Sequence, residues 1–71
     1  MSEVVLAEMV ANVAEVHVKI GDVVEAGTAL VLLESMKMEI PVLCETAGTV
    51  TDVQVVPGDV IQEGDVIAVL G

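Results

Sequence analysis

"VAEVHVKIGDVVEAGTALVLL", residues 13–33, returns later in the chain as "VTDVQVVPGDVIQEGDVIAVL", residues 50–70, and the two stretches align without a gap. Gly21 meets Gly58, Asp22 meets Asp59, Gly27 meets Gly64 and Leu33 meets Leu70, a constant offset of 37 residues. A stacked solenoid needs more than two repeats to bury its faces, so two copies predict a closed body with pseudo-two-fold symmetry. Each copy is built from short apolar runs stopped by Gly-Asp and by a second glycine six residues after the first. These are turn signals, because glycine adopts backbone angles that other residues avoid. "ALVLLE" and "VIAVL" are too short for independent helices and read as strands inside a sandwich. The expectation is about three or four short strands per half, in two small antiparallel sheets packed face to face.

Composition points the same way. The 71 residues leave room for one domain, 1–71, with one small core. Hydrophobic residues make up 55% of the chain while Phe, Tyr and Trp are absent, so Val, Leu, Ile, Ala and Met must fill that core, and the valines favour strands. Cys44 is the single cysteine and can form no internal disulfide. His17 has no companions to hold a metal and reads as a surface residue, as does Lys19. Cys44 reads as a small core hydrophobe.

The formal net charge is -10, with only Lys19 and Lys37 positive. Such a chain cannot neutralise a phosphate backbone, which excludes nucleic-acid binding, and an anionic membrane surface would repel it. No apolar run reaches the roughly 18 residues of a membrane span, and "MSEVVLAEMV" lacks a basic signal-peptide start. The expected setting is cytoplasmic, and the expected state a free-standing monomer steered toward basic patches on larger proteins.

Between the two copies lies "ESMKMEI", residues 34–40, joining "TALVLLES" to "MEIPVLCE". It is expected to be a hairpin tip. Two-residue hairpins favour Asn-Gly because their turns need positive φ, and neither Met nor Lys is comfortable there. That points to something other than ease of turning having selected these residues, the alternative being a type I turn forced by tertiary context. Met36 and Met38 could be core gap-fillers with Lys37 a solvated charge. Alternatively, strand alternation puts the two methionines on one face and exposes the lysine at the tip.

"ESMKMEI", the duplicated Gly-Asp turns, the "AGT" ahead of the second half and the terminal "GDVIAVLG" together resemble the biotinyl/lipoyl attachment domains, most closely the small stand-alone attachment proteins. The resemblance covers essentially the whole chain. It implies an all-β fold, a flattened eight-stranded antiparallel β-barrel or barrel-sandwich hybrid. It further implies that Lys37 carries covalent biotin and that Met36, Met38, Glu34 and Ser35 are read by a biotin protein ligase. The loaded domain would be a non-catalytic carrier shuttling carboxybiotin between biotin carboxylase and carboxyltransferase components. Lipoate on the same lysine, serving an oxidative decarboxylase, is the alternative within the fold, and a small interaction protein without prosthetic group is the alternative outside it. The chain departs from the pattern in having Glu8-Met9-Val10-Ala11 where biotinyl domains often have Pro-Met-Pro-Gly, and in having no insertion between Val13 and Gly21.

Overall fold

The computed structural model describes residues 2–71, and among these every regular element is a strand. In chain order they are β1 (Glu3–Leu6), β2 (Ala11–Val16), β3 (Val23–Val24), β4 (Ala29–Ser35), β5 (Met38–Leu43), β6 (Gly48–Val53), β7 (Val60–Ile61) and β8 (Val66–Leu70). They form two antiparallel four-stranded sheets, ordered β1-β8-β6-β3 and β5-β4-β2-β7. The sheets do not coincide with the sequence halves. Each sheet mixes strands from both copies, so neither half can close its core alone.

The repeat extends further upstream than residue 13. β1 pairs with β8 through Glu3↔Leu70, Val4↔Val69 and Val5↔Ala68, and β5 pairs with β4 through Ile40↔Leu33, Pro41↔Leu32 and Val42↔Val31. These are the same contacts displaced by the repeat offset. Turn hydrogen bonds obey the same symmetry: Gly21 N–H donates to the Val50 carbonyl as Gly58 N–H donates to that of Val13, both at 2.8 Å. The Asp22 carboxylate accepts from Lys19 N–H as the Asp59 carboxylate accepts from Val56 N–H, each at 3.0 Å. Gly21 and Gly58 turn the chain with φ of 98° and 96°, the left-handed region a side chain resists.

β-Bulges explain the uneven alternation of the strands. Between Val5↔Ala68 and Leu6↔Val66, and again between Val42↔Val31 and Leu43↔Ala29, one extra residue is inserted on the longer strand. The extra residues are Ile67 and Leu30, and each points inward beside an inward neighbour, so Leu30, Val31, Ile67 and Ala68 are all 0% exposed. Two consecutive buried residues would be impossible on a regular strand with one solvated face. The remaining core is aliphatic, and it includes Cys44, whose thiol donates to the Glu25 carbonyl at 3.1 Å.

The open side of the body, between edge strands β1 and β5, is stapled by Glu3. Its carboxylate accepts from the Thr46 hydroxyl at 2.8 Å and from the Glu45 and Thr46 N–H groups at 3.1 Å. The Thr46 hydroxyl foremost holds the Glu3 carboxyl below its ordinary value; burial opposes it, and the Glu45 and Thr46 N–H groups add to the lowering. A lowered folded pKa means stability that is present above the ordinary glutamate range and lost as pH falls through the lowered value. Glu3→Gln is accordingly expected to lower the thermal midpoint at pH 7, with the gap to wild type narrowing as pH falls through and below the ordinary glutamate range. Thermal melts followed by circular dichroism across that range check this, and a gap that stays constant would assign the effect to packing.

Candidate functional site

β4 and β5 form a hairpin whose last paired residues are Ser35 and Met38. Met36 and Lys37 are therefore a two-residue loop, and both have positive φ, 51° and 66°. That is the pattern of a type I′ turn, whose twist matches the flanking strands and which normally recruits Asn-Gly. Strand alternation consequently does not extend through Met36 and Lys37, which belong to the turn and not to either strand. A non-glycine residue in the left-handed region costs about 1–2 kcal/mol, so the tip stores strain in two adjacent residues. Replacing the pair by Met36→Asn with Lys37→Gly is expected to stabilise the domain by about 1–2 kcal/mol while removing the lysine. Urea titration followed by circular dichroism reads that gain, and an unchanged midpoint would show the tip to be unstrained.

The methionines are not core residues. Met36 is 89% and Met38 59% exposed, and Lys37 between them is exposed too. Among the described residues the only contact of a basic side chain with a carboxylate within 4 Å is that of His17 with Glu15, at 2.9 Å, so Lys37 has no carboxylate partner. No group of His, Cys, Asp and Glu capable of holding a metal occurs there either.

Below the tip the sheet register sets Glu39 opposite Glu34, Glu34 opposite Asn12, and Asn12 opposite Val60. All of these side chains are exposed, so one outward row crosses β5, β4, β2 and β7. Like charges directly opposite one another on a sheet are destabilising, and Glu34 faces Glu39 without a cation between them. Of the residues expected at the site, Glu34, Ser35, Met36, Lys37 and Met38 thus come together at one hairpin. Asn12 and Val60 were not among them. A two-residue loop at 36–37 dictates the Glu34–Glu39 pairing by counting back from the turn, but the Asn12 and Val60 neighbours require knowledge of which strands pair.

Residues 3–70 match the family model described as biotin-requiring enzyme, the biotin/lipoyl attachment domain. The chain belongs to this family. It is a small, non-catalytic carrier domain. The attachment domain is 61% identical to the biotinylated protein TB7.3 homolog of Mycobacterium leprae over 70 residues, 99% of each chain. It is 63% identical to biotinylated protein TB7.3 of Mycobacterium bovis over 43 residues, a match spanning 61% of each chain. The biotin/lipoyl attachment protein of Bacillus subtilis is 53% identical over 36 residues, about half of either chain. In structure the domain superposes with a TM-score of 0.92 and 30% identity on Kluyveromyces lactis urea carboxylase, covering all of the domain and 6% of that chain. The lipoyl domain of the Azotobacter vinelandii 2-oxoglutarate dehydrogenase complex superposes with a TM-score of 0.76 at 23% identity, a likeness of fold alone. The fold expected from the sequence, all-β with eight antiparallel strands and pseudo-two-fold symmetry, is the fold observed.

Proposed function

We propose that Lys37 is the attachment site for covalent biotin, added by a biotin protein ligase, and that the loaded domain carries a carboxyl group between biotin carboxylase and carboxyltransferase sites. The observation that carries this reading is the pair of positive-φ residues at the tip. A strained Met-Lys turn, exposed beyond the body of an attachment domain, has no benefit for folding and presents one amine clear of the surface. The names of the mycobacterial relatives support biotin as the group.

Attachment is an acyl transfer. The Lys37 Nζ attacks the carbonyl of biotinyl-adenylate, a C–N bond forms, the bond to the phosphate oxygen breaks with release of AMP, and the amine gives up a proton. Only about one ordinary lysine amine in two thousand is neutral at pH 7, so a base must accept that proton. Glu34 and Glu39 are exposed and neither lies within ion-pair distance of Lys37, which makes the base a ligase residue. What this chain contributes is position. Ser35 and Met38 close the hairpin, Met36 and Met38 offer adaptable apolar contact, and the rigid body presents the arm at high effective concentration to each active site. Ligase recognition rests on Met36, Met38, Glu34 and Ser35. The setting this implies is the cytoplasm, where ligase and ATP meet the domain, and no helix among the described residues is long and apolar enough to cross a membrane.

Lipoate is the second reading, favoured by the Bacillus subtilis relative whose name gives both groups. Incubation with biotin, ATP and biotin protein ligase, beside a parallel reaction with lipoate and lipoate ligase, separates the two by intact mass. Peptide mapping is expected to place one biotin on Lys37 and none on Lys19. Modification of Lys19, or of neither lysine with active ligase present, overturns the assignment, and Lys37 left unmodified in the native host would favour an interaction protein.

A further inference from the structure

We propose that β1 is a docking edge for an extended, basic segment of a partner protein, which adds as a strand beside β1 in the groove between β1 and β5. The proposal stands independently of what Lys37 carries. β1 and β5 are each one edge of their sheets, the short strands β3 and β7 being the opposite edges, and they occupy equivalent positions in the two halves. They differ in one respect. Pro41 on β5 pairs with Leu32, and its structural equivalent on β1 is Val4, which pairs with Val69. Proline has no N–H, so the ladder at this register is complete without a donor, and the N–H of Val4 is free to face outward. A proline on an edge strand blocks further pairing, which leaves β5 guarded and β1 open.

The side chains along β1 fit an incoming strand. Val4 and Leu6 are 54% and 45% exposed, and Leu43 across the groove is 51% exposed, so the lips are apolar. The rim carries Glu3, Glu8, Glu45 and Glu63, and no Lys, Arg or His lines the groove. An apolar trough with an acidic rim selects a segment that alternates apolar residues with Lys or Arg. A second copy of this chain is the wrong occupant, because two bodies each of formal charge -10 would bring like rims together. The same repulsion keeps an open apolar edge from self-pairing.

The probe is an acetylated heptapeptide of alternating lysine and valine, titrated into isotope-labelled protein by NMR, with a glutamate-for-lysine counterpart. Saturable shifts concentrated in residues 3–9 and 40–45, slowed exchange of the Val4 N–H, and no binding of the acidic peptide are the results expected. Val4→Pro copies the guard already tolerated at position 41 and is expected to weaken binding about tenfold, the loss of one hydrogen bond. Glu8→Lys with Glu63→Lys, both at exposed positions, is expected to weaken it as well and to flatten its salt dependence. Shifts spread over the acids of the whole surface and unchanged by both variants would overturn the proposal, as would equal binding of the acidic peptide or no binding at all.

Discussion

Lys37→Ala is expected to take up no biotin while melting as wild type does. Exchanging the pair, Met36→Lys with Lys37→Met, is expected to slow biotinylation at least about a hundredfold. The single substitution removes the attachment amine, yet at φ 66° alanine and lysine meet the same backbone penalty, so the fold should register a change within about half a kcal/mol. The exchange preserves composition, net charge and an exposed lysine. What it alters is position within a two-residue turn, where neighbouring side chains leave the backbone in different directions. Acyl transfer requires amine and carbonyl about 3–3.5 Å apart, and a displacement of about 1 Å can cost roughly a hundredfold. A time course of mass gain with limiting ligase measures both variants. If the exchanged protein is modified as fast as wild type, the ligase requires only an exposed lysine, and the positioning role of the hairpin is wrong.

Leu30→Ala is expected to remove about 2–5 kcal/mol of stability, which for a domain of this size is most or all of what it has. Leu30 is 0% exposed and is the inserted residue of the β4 bulge, with Ile67 its counterpart in β8. A bulge residue aims a second consecutive side chain into the core, and its truncation opens a cavity that neither sheet can close without losing register. The core has no aromatic ring to shift into the void. Ile67→Ala should behave alike, since the two positions are symmetry-related. Far-ultraviolet circular dichroism in a urea titration is the suitable measurement in a chain without Trp or Tyr. A loss below about 1 kcal/mol would mean that the core repacks and that the bulges are not structural anchors.

These two results draw on different depths of information. The hairpin carrying Lys37 was legible because its signals are local: apolar runs on either side, a turn between them, and a motif that makes little sense as turn chemistry. The four turn glycines, Gly21, Gly27, Gly58 and Gly64, were legible for the same reason, since the left-handed region all four occupy is a property of single residues. Local signal also carried the duplication from Val13 onward. It could have carried it to β1, because Val5-Leu6 and Glu8 recur as Val42-Leu43 and Glu45 at the same offset, but Val4 facing Pro41 and Glu3 facing Ile40 dilute the match.

The amino-acid sequence by itself thus determined the strand-rich class, the two-fold duplication, the turns and the place of Lys37 in one of them, each a matter of periodicity or of a single residue's conformational preference. Only the tertiary structure decided that the halves interleave, with β1 beside β8 and β7 beside β2. It alone decided that bulges double the inward residues at Leu30 and Ile67, that Glu3 caps Thr46, and that Pro41 and Val4 hold equivalent places on the edge strands β5 and β1. The physical reason is common to all of these. Strand pairing joins residues far apart in the chain, and its register is chosen by which side chains fill the shared core, a selection made only when both halves are present.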